Sequence, residues 1–239
     1  MARSADLLDR LAEDPAHTAL FLDVDGVLAP IVPHPDDARV PEETRGELRR
    51  LRTRYALVAC ISGRAGADAA RVVGVPELTY VGNHGLELED GADEWAGRLH
   101  DFLAGTTWPR IEDKTLTAAL HYRGSPDEAA ARRELDAIAD RARAAGFIAR
   151  YGRKVLELVP PLDANKGTAV RKLLSEQRLH RALYAGDDTT DLDAFEALEQ
   201  LELGVRVAVA SPEGPAALLE QADITVETPA ELLQLLRRL

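Results

Sequence analysis

The chain has a single cysteine, Cys60, so neither an intrachain disulfide nor a cysteine-rich metal site can be built from it. That scarcity fits the cytoplasm. No run of about 18 apolar residues occurs, which excludes a membrane-spanning helix. Residues 1–17 mix charged with apolar positions and lack the hydrophobic segment of a secretory signal. The expectation is a soluble chain. Basic charge is also short: 29 Lys and Arg stand against 41 Asp and Glu, a formal net charge of -12. Nucleic acid and anionic membrane are therefore disfavoured as partners, because binding them needs a basic surface. A small anionic substrate remains open, provided that local cations or a metal ion admit it against the global field. What is present is 239 residues, 46% of them hydrophobic. This suffices for one large domain, or for a core with a smaller inserted one.

Short apolar runs recur at 19–24, 56–61, 78–82, 181–186 and 205–210. They do not alternate with polar residues, which suits parallel strands covered on both faces. Amphipathic helical stretches such as 41–54 and 166–177 lie between them, so the pattern predicts an α/β fold with a doubly wound parallel sheet. One interval breaks the rhythm. From Ser62 to Lys166 there are 104 residues, against about 30 for a simple βαβ unit. Within it, 115–124 and 154–160 read as half-buried antiparallel strands, and 125–146 as a helix ended by glycine. Strand, helix, strand predicts a smaller α+β domain over 88–160, inserted into a core of 1–87 and 161–239.

The first apolar run ends in DVDGV, which sets Asp23 and Asp25 at the carboxyl end of a strand, where open α/β sheets place their ligands. Two carboxylates there invite a metal ion, and Gly26 permits a tight departure of the backbone after them. Magnesium takes few carboxylates and completes its shell with other oxygens. A further acidic group is expected at a neighbouring strand end, and RALYAGDDTTD supplies Asp187, Asp188 and Asp191. Alone, that cluster also suits a helix amino terminus, where Asp and Thr cap free amides. Phosphoryl transfer further requires groups that neutralise and orient the phosphoryl oxygens. CISGR offers the Ser62 hydroxyl and the Gly63 amide; NKG offers Lys166 at a helix start. Each also reads as an ordinary turn residue.

These four pieces, in this order, resemble the haloacid dehalogenase superfamily of phosphatases. The resemblance implies that Asp23 is the nucleophile and forms an aspartyl-phosphate. It implies that Asp25 is the general acid and then the general base, and that Ser62, Gly63 and Lys166 hold the phosphoryl oxygens, with Lys166 also catalytic. Mg2+ is implied as cofactor, bound by Asp23, Asp187 and the backbone carbonyl of Asp25, with Asp191 supporting the metal or Lys166. The insert matches the branch carrying a large α+β cap. Within that branch, FLDVDGVLAPIVPHPDDARVP, ISGR, VGNHGLE, LHYRG, KVLELVP, NKG and GDDTTDLDAF resemble the trehalose-6-phosphate phosphatase family. Val27 departs from the commoner Thr. The resemblance implies hydrolysis of a sugar phosphate, with Asn83 and His84 of the core and Arg123, Lys154 and Glu157 of the cap recognising the sugar. Those five also have plainer readings as turn or surface residues.

Three alternatives stay open on the sequence. One is a relative acting on another disaccharide or pseudo-disaccharide phosphate. Another is an inactive sugar-phosphate-binding regulator on the same fold, since fold does not fix function. The third, a signalling receiver domain, is opposed by the large insert and by an acceptor aspartate after the first strand. The basic stretch RGELRRLRTR sits on a helix that also carries Leu48 and Leu51 and reads as a solvated face. Oligomeric state is not legible.

Overall fold

The computed structural model describes residues 2–152, 154–211 and 214–239. Among them the strands are β1 (Thr18–Leu22), β2 (Leu57–Ile61), β3 (Thr79–Val81), β4 (Ile111–Asp113), β5 (Ala118–His121), β6 (Ile148–Gly152), β7 (Val155–Val159), β8 (Arg181–Gly186), β9 (Leu203–Val209) and β10 (Ile224–Val226). The helices are α1 (Ala2–Glu13), α2 (Glu42–Arg54), α3 (Gly66–Val73), α4 (Ala92–Ala104), α5 (Glu128–Ala144), α6 (Lys166–Gln177), α7 (Asp191–Ala197), α8 (Ala216–Gln221) and α9 (Pro229–Leu236). None is long and apolar enough to cross a membrane.

The chain divides into two compact units, Met1–Gly85 with Ala164–Leu239, and Leu86–Asp163. The first is the expected α/β unit. Its six strands run in the order β10-β9-β8-β1-β2-β3, and every pairing is parallel. Strands β1 and β2 are buried at every position, as parallel strands covered by helices on both faces must be. Leu20, Leu22, Val58, Cys60 and Leu183 join the core formed with Leu8, Leu48, Leu51 and Leu236. Successive strands leave β1 in opposite directions across the sheet: β2 and β3 to one side, β8, β9 and β10 to the other. That reversal places the carboxyl end of β1 between those of β2 and β8, at the switch point where such sheets bind ligands.

The second unit is an antiparallel sheet in the order β4-β5-β7-β6. Leu120, Leu156 and Leu158 pack with Leu135, Ile138 and Phe147 in a separate core. It holds more than the strand, helix and strand read from the sequence. The expected strand over 115–124 is cut to Ala118–His121 because Thr115 adopts φ 72 in a hairpin turn. There Asp113 Oδ1 accepts from the Thr115 amide at 2.8 Å, and β4 precedes the turn. Likewise β7 begins after Lys154, whose φ of 63 belongs to the hairpin from β6. Helix α5 starts at Glu128 because the Asp127 side chain caps the Ala130 amide at 2.9 Å.

Candidate active site

Strand β1 ends at Leu22, so Asp23 is the first residue beyond it, and its amide still donates to the Ala185 carbonyl of β8 at 2.9 Å. The chain then turns on itself. The Ala29 amide donates to the Val24 carbonyl at 2.8 Å, the Gly26 amide donates to the Ala29 carbonyl at 2.9 Å, and Gly26 sits at φ 79. A side chain at Gly26 would be strained, and its Cβ would collide with the Asp187 carboxylate. Glycine therefore lets the end of β8 approach the turn after β1.

Lys166 reaches the site through a local device. Asn165 caps α6, with its Oδ1 accepting from the Thr168 amide at 2.8 Å while its own amide donates to Thr168 Oγ1 at 3.0 Å. This reciprocal box fixes Lys166 as the first helical residue. Gly167 meets the Asp193 carbonyl with no room for a Cβ, so α6 and α7 run close together and their first residues meet. Lys166 Nζ donates to Asp23 Oδ2 at 2.7 Å and to Asp191 Oδ1 at 2.7 Å, and the ammonium is buried.

Asp191 is a hub with no exposed surface. Its Oδ1 also accepts from Tyr184 Oη at 2.6 Å, and its Oδ2 accepts from the amides of Asp187 and Asp188, each at 2.9 Å. Four donors on two oxygens match the acceptor capacity of a carboxylate. Asp23 has two, from the Val24 amide at 2.7 Å and from Lys166.

One oxygen from each of Asp23, Asp187 and Asp191 lies within 4.8 Å of the others, all three residues buried. Burial raises the Asp23 carboxyl above its ordinary range, with Lys166 opposing and Asp191 reinforcing the rise. Burial, then the charges of Asp23 and Asp191, push Asp187 up to about 8. Lys166 is lowered by burial but held above its usual value overall by Asp23 and Asp191. Three carboxylates against one ammonium leave an excess of negative charge, and with the Asp191 oxygens already engaged, Asp23 and Asp187 are the oxygen donors. That chemistry fits a hard divalent cation.

Ser62 follows β2 and is buried; its Oγ accepts from the Arg64 amide at 3.2 Å, which leaves the hydroxyl proton to donate elsewhere. The expected sugar contacts Asn83 and His84 pack against this same turn. The Asn83 amide donates to the Arg64 carbonyl at 2.7 Å and the His84 amide to the Ser62 carbonyl at 2.9 Å. Both adopt positive φ, 52 and 55, and a Cβ at Gly63 would lie 2.7 Å from the His84 ring. Asn83 and His84 thus brace the serine turn.

Of the four aspartates assigned to the metal, Asp25 stands apart. Its carboxylate is 41% exposed and is gripped by Arg64, Nε to Oδ2 and Nη2 to Oδ1, both at 2.7 Å. Arg64 went unassigned in the sequence although it lies inside ISGR; a cation directly after a phosphate-binding turn was the signal. Tyr184 was hidden in an apolar run, yet a buried tyrosine needs a partner for its hydroxyl.

In the second unit, the three residues expected to contact sugar have partners or exposure of their own. Lys154 Nζ donates to Glu128 Oε1 at 2.7 Å, Arg150 Nε donates to Glu157 Oε2 at 2.8 Å, and Arg123 is exposed. The same sheet carries a further polar group: Glu112 Oε2 lies 3.0 Å from His121 Nε2, and Glu112 pairs with Lys114 at 3.6 Å.

Set against proteins of known structure, the fold is that of the haloacid dehalogenase-like hydrolases. A hydrolase of that kind from Bacteroides thetaiotaomicron superposes with a TM-score of 0.60 at 16% identity, covering 93% of this chain and 99% of its own. A trehalose-6-phosphate phosphatase related protein superposes with a TM-score of 0.72 at 25% identity, covering 92% of this chain and 95% of its own. The sequence model of the trehalose-phosphatase family matches residues 21–105 and 92–222, and the chain belongs to that family. A trehalose-phosphate phosphatase of Mycobacterium avium is 37% identical over 207 residues, 76% of this chain and 51% of the relative. The chain thus spans about half the length of that curated relative.

Proposed function

We propose that this chain is a phosphoric monoester hydrolase that converts trehalose 6-phosphate to trehalose and phosphate, with Mg2+ as cofactor and Asp23 as nucleophile. The observation that carries the reading is the buried constellation of Asp23, Lys166, Asp187 and Asp191 at the sheet's switch point, with Ser62 at the end of the adjoining strand. The names of the relatives support the substrate.

In the first half-reaction an Asp23 carboxylate oxygen attacks phosphorus; the bond to the sugar oxygen breaks, and that oxygen takes the proton of Asp25. In the second, water attacks phosphorus of the aspartyl-phosphate and gives a proton to Asp25, the bond from phosphorus to the Asp23 oxygen breaks, and inorganic phosphate leaves with the Asp23 carboxylate restored. Lys166 stays charged between Asp23 and Asp191 and neutralises phosphoryl oxygens, while the Ser62 hydroxyl donates to one of them. Asp23 and Asp187 would hold the cation through their carboxylates, together with the Asp25 backbone carbonyl. Asp191 acts behind them: its acceptor sites are filled, so it anchors Lys166 and the amides of Asp187 and Asp188. Mg2+ supplies charge neutralisation and orientation of the phosphoryl group when bound. Gly63, Asn83 and His84 shape the serine turn, and Arg123, Lys154 and Glu157 recognise sugar hydroxyls, which reject analogues lacking them. Site of action is the cytoplasm.

Phosphate release from trehalose 6-phosphate, sucrose 6-phosphate, glucose 6-phosphate and p-nitrophenyl phosphate, with and without Mg2+, tests the reading. Metal-dependent preference for trehalose 6-phosphate is expected. Preference for another disaccharide phosphate would retain the catalytic centre and reject the substrate.

A further inference from the structure

Arg64 is tied into the site at five points. Its amide donates to Ser62 Oγ at 3.2 Å, and its carbonyl accepts from the Asn83 amide at 2.7 Å. Its guanidinium forks onto both oxygens of Asp25 at 2.7 Å, donates to the Pro35 carbonyl at 3.1 Å, and is held from α3 by Asp68 Oδ2 at 2.7 Å. Asp68 is itself steadied by Arg71, Nε at 3.0 Å and Nη2 at 2.6 Å. The Arg64 side chain is 12% exposed while that of its partner Asp25 is 41% exposed. A half-exposed carboxylate on a turn has several rotamers open to it. A planar fork engaged from a fixed base leaves it one, and when Asp25 takes up the proton it later gives away, one oxygen leaves the fork while the other stays held.

We propose that Arg64 is the positioning residue for Asp25, and that the Asp68–Arg64 pair fixes where the general acid stands relative to the phosphoryl-binding turn. Because the amide and the side chain of one residue touch Ser62 and Asp25, the group that holds a phosphoryl oxygen and the group that protonates the leaving oxygen are set from a common origin. The inference rests on the phosphatase reading above. Its chemical consequence is selective. Breaking the bond to a sugar oxygen needs a proton from Asp25, whereas an aryl oxide leaves readily without one. Since kcat/KM reports steps only through formation of the aspartyl-phosphate, the base-catalysed second half-reaction does not enter the comparison.

The test measures kcat/KM of the full chain with Mg2+ for trehalose 6-phosphate and for p-nitrophenyl phosphate. Arg64→Ala is expected to lower the first by about 100-fold or more, the scale of general acid catalysis, and the second by less than about tenfold. Added guanidinium ion should restore part of the loss on the sugar phosphate. Arg64→Lys keeps the charge and stem but not the fork, so it should show the same imbalance in milder form. Asp68→Asn should as well, and it should cost little more when combined with Arg64→Ala, since the two act through one contact. Equal losses on both substrates in Arg64→Lys and Asp68→Asn would overturn the proposal, because a merely structural brace of the Ser62 turn damages both alike. A wild-type chain that releases phosphate from neither compound would overturn the functional reading itself, and this inference with it.

Discussion

At the scale of single residues, the site is a problem of charge in a dry place. Asp23, Asp187 and Asp191 are all buried, and Lys166 supplies one compensating charge through two bonds of 2.7 Å. Removing one partner of such a group exposes the others to an unpaired buried charge. Asp23→Asn is nearly isosteric and keeps an acceptor for Lys166, so the fold should survive while the nucleophile is lost. Phosphate release is expected to fall by more than about 1,000-fold, with thermal unfolding little changed; near-normal turnover would reject Asp23 as the nucleophile. DVDGV, the serine turn, Lys166 and the acidic run could be picked out as candidates, because each is a short string of suggestive residue types and the four occur together, although all but DVDGV also have plainer readings. What individual aspartates do was not legible. Asp25 and Asp191 look alike on paper, yet one is held by Arg64 near solvent and the other takes four donors in the interior.

At the scale of elements, helix starts do the placing. The Asn165–Thr168 box fixes the first turn of α6, and with it the direction in which Lys166 leaves the backbone. Asn165→Ala should cost about 0.5–2 kcal/mol of stability, the usual range for an N-cap. It should also lower turnover beyond what that loss explains, because Lys166 loses its fixed base. Denaturant unfolding and steady-state kinetics on the same variant check both parts, and full activity at reduced stability would confine the box to a structural role. Five of the six strands of the parallel sheet could be read from their continuous apolar runs; β10, three residues long and only partly buried, could not. Those of the second unit were only half legible: Ile111–Asp113 is three residues long, and Ile148–Gly152 is exposed or half-buried throughout, so neither carries an apolar signature. Such strands exist because their neighbours β5 and β7 offer edges to pair with.

At the scale of the whole molecule, metal, protons and stability are linked. Burial, and then the charges of Asp23 and Asp191, push the folded Asp187 carboxyl from its ordinary 3.8 up to about 8. The folded chain therefore binds more protons than the unfolded one between those values, and stability present below pH 4 is lost as pH rises through about 8. A divalent cation held at Asp187 would take the place of that proton and would stabilise the folded state by mass action. The melting temperature without divalent ions should fall between pH 5 and pH 8.5, Mg2+ should raise it more at pH 8.5 than at pH 5, and Asp187→Asn should flatten both trends. An equal Mg2+ effect at the two pH values would argue against proton and metal competing at Asp187. In the second unit, Glu157→Ala should lower kcat/KM for trehalose 6-phosphate more than for p-nitrophenyl phosphate; equal losses would show that Glu157 serves its pairing with Arg150 rather than the sugar. The sequence by itself determined the fold class, the presence of an insert and the chemical inventory, because periodicity and short motifs are local properties of a chain. Tertiary structure alone decided which carboxylates meet, that Lys166 spans two of them and that Arg64 holds Asp25, because Asp23, Ser62, Lys166 and Asp187 lie far apart along the chain. Only the order of strands around β1 brings them to one end of the sheet.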